Sequence, residues 1–249
     1  MLGWKIFAHA AKMIFRNFPA TFKIFFIPFL AIFGIFISIA LLNGAFAGDG
    51  STQSAPSAGS SIAQVTVMVV ATVIFLIWGV VSWHRYVLLE EYPPSIVPDF
   101  NLGRIGNYLW KSVVLSLVLA LILIPLVMIS AGLIGAMPLG ALFTFALSAF
   151  LGGYLMLRFA LVLPAAALEK PMRLGESWSA TGGFASAIFL VLMCLVALQV
   201  LLDASLFLLV DMPGVAAIWE IATSLFVALL HVSILTTMYG VFIEKRELT

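Results

Sequence analysis

Charge is what this chain has least of. Only 9% of its 249 residues are Asp, Glu, Lys or Arg, while 63% are hydrophobic. A soluble domain carries about 25% charged residues, so water is excluded as the main solvent of the fold. There is one cysteine, Cys194, which excludes an internal disulfide and a multi-cysteine metal cluster. No run of lysine and arginine offers a grip on nucleic acid. Neither a P-loop, an H-E-x-x-H pair, a G-x-S-x-G elbow nor a Rossmann glycine pattern occurs. The sequence therefore assigns no catalytic residue, no metal and no cofactor.

What the chain has instead is long apolar runs. Six of them, near 24–42, 62–83, 112–133, 139–157, 184–208 and 217–241, approach or exceed the roughly 18 residues that cross a bilayer. The expectation is an all-α polytopic membrane protein of six transmembrane helices, one integral domain over 1–249. It reads as an interfacial amphipathic helix over 1–22 and three hairpins over 23–84, 99–168 and 169–249. Ala45-Phe46-Ala47 matches a cleavage pattern, but the run before it exceeds the about 7–15 residues of a signal core. It reads as a retained span.

Before the first span, Trp4, Phe7, Ala8, Ala11, Ile14, Phe15 and Phe18 recur at helical spacing, with Lys5, His9, Lys12 and Arg16 opposite them. That pattern predicts a helix lying in the membrane interface on its aromatic face. A shorter copy follows the second span, with Leu102, Ile105, Tyr108 and Leu109 on one side and Asn101, Arg104, Asn107 and Lys111 on the other. The connection from Leu157 to Phe184 is the third lead-in, apolar from Phe159 to Leu168 and polar thereafter.

The positions of the basic residues set the topology. Four precede the first span, three lie between spans two and three, three between four and five, and two in the tail, which is all 12. The other connections hold none; the first of them, 43–61, is rich in Gly, Ser and Ala and carries Asp49. Basic side chains resist translocation and are drawn to the anionic inner leaflet, so both termini are expected in the cytoplasm. The three hairpins also end alike, in an aromatic, apolar residues and then acid: Tyr86 to Glu90, Phe159 to Glu169, Tyr239 to Glu244. This reads as a threefold repeat or as the ordinary trim of membrane helices.

The run Arg158-Phe159-x-Leu161-x-Leu163-Pro164-Ala165, then Glu169, then Gly175-Glu176-Ser177-Trp178-x-x-Thr181-x-Gly183 resembles a recurrent motif of bacterial membrane proteins. These include the YciC-like group and the membrane domain attached to some glycerophosphodiester phosphodiesterases. Trp83 to Glu90 and the tail from Tyr239 are similar to further members. The resemblance implies a bacterial inner-membrane module without assigned activity. It does not imply hydrolysis, because no soluble α/β segment is present to carry a phosphodiesterase.

Two sets of residues are candidates for function. Folding the last hairpin about residue 212 sets Asp203 level with Glu220 and, deeper, Cys194 level with His231, with Gln199 more than a turn from that second pair. The carboxylates would share a proton or hold a cation, or else sit in interfacial water; the thiol and imidazole have no orienting acid and read also as buried neutral groups. The second set is the cytoplasmic rim. Arg85, Arg104, Lys111, Arg158, Lys170 and Arg173 are expected to bind anionic lipid head groups, with Trp83, Trp110 and Trp178 setting depth. Otherwise these bases orient the protein and pair with Glu90, Glu91 and Glu169.

Two function classes follow. One is a non-catalytic accessory, assembly or lipid-organising protein, with membrane lipids and a larger membrane complex as partners. The other is a transporter of a small or amphipathic solute. A water-filled cavity reaching His231 at mid-depth would favour transport; a dry, closely packed bundle would favour the first.

Overall fold

A computed structural model describes residues 1–43, 58–92, 95 and 97–248. Asp49, the pattern at 45–47, Pro93 and Pro94 lie outside the described residues. These form helices and turns, with no strand among them. In order they are α1 (Leu2–Arg16), α2 (Phe18–Leu42), α3 (Ala58–Leu89), α4 (Leu102–Leu133), α5 (Pro138–Phe159), α6 (Val162–Ala167), α7 (Leu174–Gly182), α8 (Ala185–Leu206) with a 3-10 turn over Phe207–Leu209, and α9 (Pro213–Phe242). Six stretches are long and apolar enough to cross a membrane, in α2, α3, α4, α5 with α6, α8 and α9. The chain is a multi-pass helical membrane protein, as expected.

Local chemistry sets the breaks. Proline at position 19 lacks an N–H and suits a first helical turn, so α1 stops at Asn17, whose Nδ2 donates to the Met13 carbonyl at 2.9 Å. Asn101 starts α4, its Oδ1 accepting the Arg104 N–H at 3.1 Å, as an N-cap does. Pro138 and Pro213 each stand at the first helical position of α5 and α9. The expected second lead-in helix is not separate: no breaker with a missing N–H falls between Leu102 and Ser112, and the segment runs straight into α4.

The described residues form two compact units. One, residues 18–106, is built on the packing of α2 against α3. Gly79 lets the two backbones approach, since a Cβ there would lie 2.8 Å from the Phe25 ring.

The other unit holds residues 1–17 and 107–249, and α1 packs along both α8 and α9. A Cβ on Gly3 would sit 2.4 Å from the Ala187 carbonyl oxygen, so α1 and α8 touch backbone to backbone. Ser233 donates to the Ala10 carbonyl at 2.9 Å, and the Phe15 and Phe226 rings are 5.6 Å apart. Along α1 these contacts descend α9, so α1 runs beside it in the opposite direction. The side of α1 that packs on protein is a third face, which the two-sided reading did not contain. The buried face is Gly3, Ile6, Ala10, Met13 and Ile14, while Trp4 and Phe15 are exposed. The helix has three faces about 120° apart, aliphatic to protein, aromatic outward and basic outward.

The Phe159–Leu168 stretch is also placed differently from expectation. It is buried in protein from Ala160 to Leu168, not laid along the interface, and Asn107 Nδ2 donates to the Ala166 carbonyl beneath it at 3.3 Å. Its apolarity is that of a core.

Candidate functional site

The last hairpin carries a cleft of about 350 Å³ between α8 and α9. On α8 its wall is Gln199, Leu202, Asp203 and Leu206; on α9 it is Glu220, Thr223, Ser224, Val227, Ala228 and His231. Both sets recur at three- and four-residue intervals, the spacing of a single helix face. Gln199 Nε2 donates to Asp203 Oδ1 at 2.8 Å. His231 Nδ1 lies 2.8 Å from the Val227 carbonyl, and Thr223 Oγ1 donates to the Trp219 carbonyl at 2.8 Å. Across the outer end, Trp219 Nε1 donates to Ser205 Oγ at 2.7 Å and clips the two helices together.

Four of the five residues expected to form a polar site are thus brought to one cleft. Cys194 is not among its lining residues. It stands five residues before Gln199, about 140° around the helix, so equal depth does not make it a neighbour of His231. Thr223 and Ser224 were not picked out by sequence. The signal was there, in the stripe that starts at Glu220, but hydroxyls that bond their own helix carbonyls barely interrupt an apolar run.

The cleft is deep. At 1.5 Å per residue, Asp203 is about 4.5 Å from the end of α8, and Glu220 and His231 are about 10 Å and about 27 Å from the start of α9. Gln199, Asp203, Glu220 and His231 are all exposed. Within a span, ionisable groups face protein or a water-filled cavity, because hydrocarbon leaves them unsolvated. The cleft carries hydrogen-bonding and acidic groups along its wall, and among the described residues no cluster of His, Cys, Asp and Glu could hold a metal ion.

The residues of the expected cationic rim divide between the two units. Arg85 and Arg104 share a cavity of about 260 Å³ at the ends of α3 and α4. There Arg85 Nε donates to Glu91 Oε2 at 2.7 Å, and its Nη2 donates to the other carboxylate oxygen. Arg104 Nη1 donates to Asp99 Oδ2 at 3.0 Å. The Arg85 hydrogen bond holds the Glu91 carboxyl below the usual glutamate range, outweighing the upward push of partial burial.

Arg158 is elsewhere and is buried. Its Nε donates to Thr181 Oγ1 at 2.8 Å and its Nη2 to the Trp178 carbonyl at 3.0 Å. Ser177 Oγ donates back to the Arg158 carbonyl at 2.8 Å. The guanidinium ties α7 onto the end of α5. Lys111 Nζ donates to the Met172 carbonyl at 3.2 Å. Lys170 pairs with Glu244 at 3.0 Å. Arg173 is exposed, its backbone N–H donating to Glu176 Oε2 at 2.7 Å.

The fold and cleft define a six-span helical membrane protein with a polar wall in its last hairpin. The chain matches no family model, no curated protein and no solved structure. Of the motif residues singled out in the sequence, Arg158, Ser177, Trp178 and Thr181 are the ones joined in the α5–α7 tie.

Proposed function

We propose that this protein carries a small polar or amphipathic solute through the bacterial inner membrane, with the α8–α9 cleft as the polar part of the path. One observation supports this above the accessory-subunit reading: the cleft reaches His231, about 27 Å along α9 from its outer end. A volume of 350 Å³ holds roughly a dozen waters at about 30 Å³ each. Because the polar residues are exposed along the helix pair, a solute with a polar head and an apolar tail can keep the head in the cleft and the tail in lipid. Asp203 and Glu220 are the groups that would bind a cationic or hydrogen-bonding head. No step requires a catalytic residue. The orientation in this proposal is both termini cytoplasmic, from the one-sided distribution of bases.

Proteoliposomes provide the test. The protein should raise either proton flux, read by an entrapped pH dye, or transbilayer movement of head-group-labelled lipid, read by dithionite quenching. The pair Asp203→Asn with Glu220→Gln should return the rate to that of empty vesicles while preserving the thermal midpoint. Equal rates for wild type and the double variant in both assays would leave the accessory reading, in which another protein covers the cleft.

A further inference from the structure

The cavity between α3 and α4 has a charge pattern that the anionic-lipid expectation does not explain. Its polar wall holds two guanidiniums, Arg85 and Arg104, and two carboxylates, Glu91 and Asp99. The balance is zero. A site built to select anionic lipid would keep an excess of positive charge, since each base near an anionic surface adds about 1 kcal/mol of attraction and each acid opposes it. Two opposed pairs within one cavity instead match a ligand that itself carries both signs.

The other walls narrow the class. Trp78 and Tyr92 line the same cavity, and aromatic faces favour an ammonium group. Trp78 Nε1 is fixed by donating to the Asp99 carbonyl at 3.0 Å, and its ring meets Phe100 edge-on at 5.1 Å. That holds the indole against the backbone of Asp99, whose carboxylate is bonded to Arg104. The floor is apolar: Ile24 and Ile105 are buried to 1% and 3% exposure. Arg85, buried to 8%, is held in place by its two-pronged bond to Glu91. The cavity lies where α3 leaves its apolar span and α4 begins, the level of lipid head groups.

We propose that this cavity binds a phosphoethanolamine head group of a membrane lipid, with phosphate toward Arg85 and Arg104 and ammonium toward Glu91, Asp99 and the aromatic rings. The glycerol end lies over Ile24 and Ile105. A guanidinium fork suits phosphate oxygens, and a primary ammonium with three donors suits paired carboxylates. The site is in residues 18–106 and is independent of the α8–α9 path.

The test is native mass spectrometry of the full chain released from nanodiscs of equal phosphatidylethanolamine and phosphatidylglycerol. Wild type should retain phosphatidylethanolamine in preference. Water-soluble glycerophosphoethanolamine should displace it, and inorganic phosphate at the same concentration should not. The two rim variants should differ in phosphatidylglycerol. Asp99→Asn leaves the cavity with a net positive charge and should raise retained phosphatidylglycerol by about threefold, the scale of one exposed pair. Arg104→Gln leaves it net negative and should lower retained phosphatidylethanolamine by about the same factor without a gain in phosphatidylglycerol. Loss of fold cannot produce the gain in phosphatidylglycerol. A wild-type preference for phosphatidylglycerol, displacement by phosphate alone, or unchanged ratios in both variants would each overturn the assignment.

Discussion

The guanidinium of Arg158 lies 3.7 Å from the centre of the Trp178 ring. The same guanidinium donates to the carbonyl of that tryptophan and to Thr181, so one side chain stacks on α7 and hydrogen-bonds to it at once. Lysine keeps the charge but loses the plane and the fork. Arg158→Lys should therefore lower stability in detergent by about 2 kcal/mol, the scale of hydrogen bonds to a charged group. Trp178→Leu should lower it by about 1 kcal/mol through loss of the stack. Thermal unfolding followed by intrinsic fluorescence for the first variant, and by circular dichroism for the second, reads both. An Arg158→Lys protein as stable as wild type would show that the tie is decorative.

The hairpin ends share a backbone device. Glu90, Glu169 and Lys245 are the non-glycine residues at positive φ, at 56°, 58° and 58°, among the described residues. In each case the next amide reaches back five or six residues: Glu91 to the Arg85 carbonyl, Lys170 to Ala165 and Arg246 to Gly240. These are left-handed helix stops of the kind glycine usually makes. A side chain there costs about 1–2 kcal/mol, offset in part by the greater chain entropy of glycine. Glu90→Gly, Glu169→Gly and Lys245→Gly should each raise stability by about 0.5–1 kcal/mol, and the matching alanine variants should not. Stabilisation at one position alone would deny that the three ends are equivalent.

The spans were legible in sequence because apolar length is a local property, although α5 and α9 start at Pro138 and Pro213, before the expected 139 and 217. The partners of α1 were not. Its aromatic residues dominate any measure of amphipathicity, yet the face that packs is built on Gly3 and Ala10, whose value lies in having almost no side chain. Glycine signals close approach only when the opposing backbone is known. The polar cleft was half legible. Equal depth followed from counting residues about the turn, whereas the exclusion of Cys194 needed the angle around the helix. The packing of Arg158 on Trp178 was not legible, because an arginine at a helix end looks the same in sequence whether it meets a phosphate or an indole. The alike hairpin ends, by contrast, were visible as a pattern of residue types, and the positive-φ stops are their backbone counterpart.

A pH dependence follows from Glu91. Its folded-state pKa is depressed by Arg85, so its contribution to stability is fully present above the unfolded value and is lost as pH falls through the folded one. Wild type should exceed Glu91→Gln in stability at neutral pH. The gap should persist through the ordinary range of glutamate titration and close only at more acidic pH. The side chain is 48% exposed, so solvent screening keeps the gap to about 1 kcal/mol or less. Stability measured from pH 7 downward for both proteins checks the sign; a gap that widened in acid would contradict it.

The α8–α9 cleft makes the most direct prediction, because water and lipid differ in what they let through. Single cysteines are placed along α9 in a Cys194→Ser background, and a membrane-impermeant thiol reagent is added to intact proteoliposomes or cells. Thiols react as thiolates, which form in water and not in hydrocarbon. Thr223→Cys, Ser224→Cys and Ala228→Cys line the cleft and should react. Ala222→Cys and Leu225→Cys are exposed as well, but outside the cleft they face lipid and should stay unlabelled. Exposure is thus matched and only the surrounding medium differs. Labelling should follow the helical period of the polar stripe and should be blocked by any solute that occupies the cleft. Since His231 lies about 27 Å from the outer end of α9, His231→Cys fixes how deep the water reaches. Labelling at all five flanking positions would describe a loosely packed helix, and labelling at none would describe a dry one; either pattern removes the support for a polar path.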